Sequence, residues 1–141
     1  MSSSTDPAAT VRCVHDVIAV EGHPAPFDRI QIRVFYPARD DGSEFVRMSG
    51  EVPLAPAEHP WPVVVIVPGV NIGSDVYRWL AVALTRLGYV VVTYNWIDLL
   101  FGIQSGLTPG MDLETAGYDA YGSGPTATAP APILHHLATS M

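Results

Sequence analysis

The chain of 141 residues contains no lysine. Its seven basic residues are all arginine (Arg12, Arg29, Arg33, Arg39, Arg47, Arg78 and Arg86), and they are scattered rather than clustered. Set against 14 acidic residues, they leave a formal net charge of −7. No basic patch exists to meet nucleic acid or an anionic membrane surface, so neither is expected as a partner. The missing lysine also excludes the phosphate-binding loop G-x-x-x-x-G-K-[ST]. Cysteine occurs once, at Cys13. That excludes an internal disulfide and a cysteine metal cluster, and the residue reads as a small buried hydrophobe. His15, His23 and His59 are isolated and lack metal-ligand spacing, so no metal and no cofactor is expected. No apolar run approaches the ~18 residues of a membrane span. The start, MSSSTDPAAT, lacks the basic and apolar regions of a signal peptide. It reads as a solvated tail over residues 1–12, and the protein as cytoplasmic.

What remains is apolar: 48% hydrophobic residues against 15% charged, enough for one modest domain with a core over residues 13–141. DVIAVEG and RIQIRVFYPA are short β-type segments with partial alternation, joined by the turn-like HPAPFD. An antiparallel pair is the simplest reading. RDDGSEFVRMSGEVPLAPAEHPWP reads as a polar, proline-rich surface loop.

The stretch PVVVIVPGVNIGSDVYRWLAVALTRLGYVVVTYNW, from Pro62 to Trp96, is patterned throughout. Val63 to Val67 shows no alternation, which suits a strand buried on both faces of a parallel sheet. From Val76 the period changes: Val76, Trp79, Leu80, Ala83, Leu84 and Leu87 share one helical face. Ser74 or Asp75 suits its first turn, Arg86 its last, and Gly88 its end. YVVVTY reads as a second buried strand, completing a βαβ unit. From Asn95 onward the chain is expected to make a long surface excursion, with a helix starting at Pro132.

The turn from Pro68 to Ser74 lies at the carboxyl end of a parallel strand, where ligands bind in open α/β sheets. The dinucleotide fingerprint G-x-G-x-x-G fails here, because the glycines are Gly69 and Gly73. An oxyanion-binding arm made of backbone N–H and an ordinary tight turn both fit.

The stretch Arg29 to Trp96 resembles the N-terminal part of an α/β-hydrolase. It is most similar to dienelactone hydrolases, chlorophyllase-like esterases and the cutinase or polyester-hydrolase group. Those families carry His-Gly-x or Pro-Gly-x after the third strand; here the motif is Pro68-Gly69-Val70. The resemblance implies an antiparallel strand pair followed by a parallel βαβ unit, truncated before the nucleophile elbow. It makes Val70 the catalytic backbone donor, with Gly69, Asn71 and Trp96 at the substrate. Valine at this place argues against an aromatic polyester. No G-x-S-x-G occurs, since GIQSG (Gly102 to Gly106) and GSG (Gly122 to Gly124) have other spacing. In this fold the acid and histidine follow the serine, so the whole triad is expected beyond Met141. His135 and His136 then read as polar positions on a helix start, and Asp112, Glu114 and Asp119 as a solvated loop. The implied whole is a serine ester hydrolase acting on a small-molecule ester, and this chain alone is expected to be inactive. Its implied partners are a missing C-terminal half or a second copy joined through the Val63–Val67 strand edge. The other reading is a non-catalytic truncated or split half that pairs with another chain.

Overall fold

A computed structural model describes residues 9–100, 104–110 and 130–140. Five strands, β1 (Thr10–Ala19), β2 (Arg29–Ala38), β3 (Val63–Ile66), β4 (Val90–Leu100) and β5 (Gln104–Thr108), form one mixed sheet. Among the described residues three α-helices accompany it: α1 (Glu44–Ser49), α2 (Arg78–Arg86) and α3 (Pro130–Ser140). The protein is therefore of the α/β class. The strand order is β1-β2-β4-β3, and β5 pairs with β4. Contacts divide the chain into two units, one of Met1–His15, Arg33–Ile66 and Tyr77–Thr93, the other of Asp16–Ile32, Val67–Val76 and Tyr94–Met141.

In the first unit β3 and β4 run parallel, with Val63 opposite Val90 and Ile66 opposite Thr93. Val90 to Thr93 is buried throughout, as its unbroken apolar run requires. β3 differs from the expectation of burial on both faces. It ends at Ile66, Val63 is exposed, and Val64 to Ile66 are only half-buried. The cause is its place at the end of the strand order, with β4 as its one neighbour among the described strands.

The helix lies close to where its period predicts it but is rotated: of the expected face Leu84 packs inward and Leu80 is half-buried, while Trp79, Ala83 and Leu87 are exposed. A 3-10 turn over Ser74–Tyr77 precedes α2, whose N-cap is Tyr77 with no side-chain cap, so neither Ser74 nor Asp75 caps it. Ala81 packs on Phe35 and Val91, joined by Val64, Ile66, Val82 and Leu84. Trp79 is 71% and Leu87 66% exposed, and Ala83 is exposed as well. The small residues Ala81 and Thr85 face inward and let the helix lie close on its neighbours. The Thr85 hydroxyl is satisfied within the helix, donating to Ala81 O at 2.8 Å. Gly88 ends the helix as expected: φ is 94°, and its N–H donates to Thr85 O at 3.0 Å.

The loop after β2 contains α1, a short helix that the polar composition concealed. Ser43 caps it by accepting from Val46 N–H at 3.2 Å, and Gly50 closes it in the left-handed region. Val46 is thereby buried with Ala38 and Val52, and Tyr36 packs on the cluster while its hydroxyl donates to Val52 O at 2.8 Å.

In the second unit β1 and β2 are joined by a loop that Val20 N–H closes onto Asp28 O at 2.9 Å. Residues 95–100 and 104–108 are not the surface excursion expected from a Gly-, Pro-, Thr- and Ala-rich stretch without a sustained period. β4 continues to Leu100, and β5 returns antiparallel with Trp96 opposite Thr108. The Tyr94 hydroxyl donates to Pro109 O, and burial pushes the phenol well above its usual pKa, so it remains a donor. α3 begins two residues before Pro132 and buries Ile133 and Leu137. Two further expectations change: β1 starts at Thr10, inside the stretch read as tail, and Cys13 is exposed rather than buried. Asp112, Glu114, Asp119 and the GSG segment lie outside the described residues.

The rotation of α2 has a direct test. Ala81→Leu should cost about 1–3 kcal/mol by overpacking. Trp79→Ala in dilute solution should change stability by no more than about 0.5 kcal/mol. Urea unfolding of both variants, each made together with Val63→Lys to keep the β3 edge from associating, checks the pair, and the reverse ranking would mean that the Trp79 side faces the core.

Candidate functional site

The segment after β3 starts from Pro68, which is buried, and Gly69, which is half-buried. Three backbone donors of the turn are fixed in the second unit. Asn71 N–H donates to Leu107 O at 2.7 Å, Ile72 N–H to Gly69 O at 3.2 Å, and Ser74 N–H to Asn95 Oδ1 at 2.8 Å. Asn71 is held twice, because its Oδ1 also accepts from Leu107 N–H at 3.4 Å. It adopts φ 58°, a left-handed conformation that Asn tolerates better than most residues. These ties leave Val70 at the outer bend, 51% exposed. Its N–H makes no hydrogen bond among the described residues.

The residues expected at the site fare differently. Gly69, Val70 and Asn71 are consecutive and share the turn. Trp96 is 2% exposed, its indole N–H donates to Phe27 O at 2.8 Å, and its ring meets His23 edge-on at 5.1 Å. It fastens the β1–β2 loop to β4 and offers almost no surface to a ligand. Asn95 was not singled out in the sequence, yet it supplies the acceptor that positions Ser74. Its only sequence signal is a polar side chain at the exit of the second valine run. The Ser74 hydroxyl is buried and has no partner among the described residues.

A second constellation joins residues that the sequence kept apart. His136 Nε2 lies 2.7 Å from Asp16 Oδ2 and 3.5 Å from Ser140 Oγ. It is not a catalytic triad, because carboxylate and hydroxyl approach the same ring nitrogen, whereas a relay needs them on opposite ones. The Ser140 hydroxyl instead donates to His136 O at 2.7 Å. A carboxylate only accepts, so Nε2 carries the proton, and the pair fastens α3 to β1. Among the described residues no group of three or more His, Cys, Asp or Glu is placed to hold a metal ion. No helix among them is long and apolar enough to cross a membrane.

Comparisons with protein-family models, with curated proteins and with solved structures found no match to this chain.

Two measurements follow from this geometry. Asn71→Ala removes the Oδ1 acceptor and strains the left-handed backbone, and should cost about 1–2 kcal/mol. Asn71→Gly should cost less because it keeps the conformation. Urea melts of both variants check the order. The second measurement concerns pH. The Val17 N–H and then His136 hold the Asp16 carboxyl below its usual pKa. The folded state thus binds that proton less readily than the unfolded state. The resulting stability is complete above about pH 4 and is lost as pH falls from there through the lowered native value. Melting temperatures of the natural chain and Asp16→Asn should converge below pH 4, and parallel curves would show that the pair contributes nothing.

Proposed function

We propose that this chain is the N-terminal part of an α/β-hydrolase-type ester hydrolase and contributes one arm of its oxyanion hole. The observation that carries the reading is the N–H of exposed Val70 after β3, which makes no hydrogen bond among the described residues, on a turn whose neighbouring donors are tied down. A pre-positioned donor of this kind stabilises a developing oxyanion without reorganising during the reaction. In the complete enzyme a serine attacks the carbonyl of a small-molecule ester. The Val70 N–H and the N–H after that serine then hold the tetrahedral oxygen. Gly69 allows the carbonyl to approach, and Asn71 borders it. The nucleophile, base and acid come from a complementing C-terminal half, in a cytoplasmic setting. Trp96 acts in this reading by holding its loop rather than by lining an acyl pocket.

The isolated chain should then show no turnover of short-chain p-nitrophenyl esters and no labelling by a serine-reactive fluorophosphonate. Turnover together with one labelled serine would overturn the reading. Once the chain is complemented by the C-terminal part of an esterase, Val70→Ala keeps the N–H and should change the rate modestly. Val70→Pro should lower kcat on the order of 10²–10³ while melting shows the fold intact. Near-normal turnover by folded Val70→Pro would reduce the turn to a structural bend.

The β3 edge follows from the same reading. Its segment Val63–Ile66 carries no charge and pairs with β4 alone among the described strands. Expressed by itself, the chain should form large aggregates through this edge, and Val63→Lys should reduce them. Light scattering of both proteins decides it. A natural chain free of aggregates, with cooperative melting, argues for a self-contained module.

A further inference from the structure

The outward face of α2 carries two large exposed apolar side chains, Trp79 and Leu87. Trp79, Ala83 and Leu87 recur every four residues, all three exposed, on the side opposite the buried Ala81 and Thr85. The helix, RWLAVALTR, carries two arginines and no acid, although the chain as a whole is acidic. We infer that this face is a two-fold contact between two copies of the chain, with α2 packed antiparallel on its mate. The inference is independent of the hydrolase reading.

The order large, small, large makes the stripe self-complementary. A two-fold axis through Ala83 sets Trp79 opposite the mate's Leu87, and sets Ala83 against Ala83 where the backbones come closest. Self-complementarity about an axis is what an isologous dimer requires. The same axis keeps Arg86 on the side of the mate's Trp79. At 1.5 Å of rise per residue, their Cα levels differ by only ~1.5 Å. A guanidinium beside an indole face is attractive. The two Arg86 residues stay at least ~9 Å apart along the axis, a distance over which physiological salt screens their repulsion. A parallel pair would instead set Arg86 level with Arg86 and align the helix dipoles.

Area sets the strength. Three side chains of this kind expose roughly 300–400 Å². That is less than half of the ~800 Å² per partner of a standard stable interface. The contact is therefore a weak, reversible dimer with a dissociation constant on the order of tens of micromolar.

The test uses the whole chain with Val63→Lys, to suppress pairing at the β3 edge, and Cys13→Ser, to remove the native thiol. Sedimentation velocity should show a monomer–dimer equilibrium, and Trp79→Glu should raise the dissociation constant at least about tenfold. Ala83→Cys should form a disulfide with its own mate on mild oxidation, faster than Arg86→Cys, whose mates are held apart. A monomer up to several hundred micromolar (a range of about tenfold above the expected midpoint) overturns the inference. So does a dimer indifferent to Trp79→Glu, which would place the contact elsewhere. Equal cross-linking of the two cysteine variants excludes the antiparallel register and overturns it as well.

Discussion

The sheet depends on the pairing capacity of β4. It is bonded to β2, β3 and β5, parallel to β3 through Val90–Thr93 and antiparallel to β5 through Trp96–Leu100. A strand so engaged has to be apolar where both its faces are covered, and the side chains of Val90, Val91 and Val92 meet that demand. Their burial is also what gives α2 something to rest on, because Val91 is one of the three buried residues at that contact.

The candidate turn inherits its geometry from the same strand and its hairpin. Asn95, on β4, fixes Ser74, while Leu107, on β5, fixes Asn71 from two sides. Val70 is therefore exposed on a bend held at both ends. Apart from the local Ile72 to Gly69 bond, the hydrogen bonds holding it come from residues distant in sequence, and its own N–H makes none among the described residues.

That division explains what the sequence disclosed. The valine run of β4, the helix after β3 and the glycine that ends it were legible because each is written in adjacent residues. The turn at Pro68-Gly69 was legible for the same reason. The direction in which α2 faces was not. Periodicity identifies an apolar stripe, but it cannot weigh that stripe against small Ala81 and Thr85, which win by permitting close approach. α1 depends on a single cap at Ser43 within polar residues. β5 and the second half of β4 carry Asn, Asp, Gln and Ser because only part of each is covered. The acceptor at Asn95 and the tie at Leu107 were hidden by distance along the chain, as was the pairing of Asp16 with His136.

The separation between Asn71 and Leu107, 36 positions, also has a meaning in time. A ribosome adding 5–20 residues per second needs about 2–7 s to cover that interval. During synthesis the bend bearing Val70 is made early and given its shape late. The contact from Trp96 back to Phe27 spans 69 positions and delays its own loop further, by the same clock. The nascent chain thus passes through a period in which its valine-rich strands exist and the bonds that organise the turn between them do not.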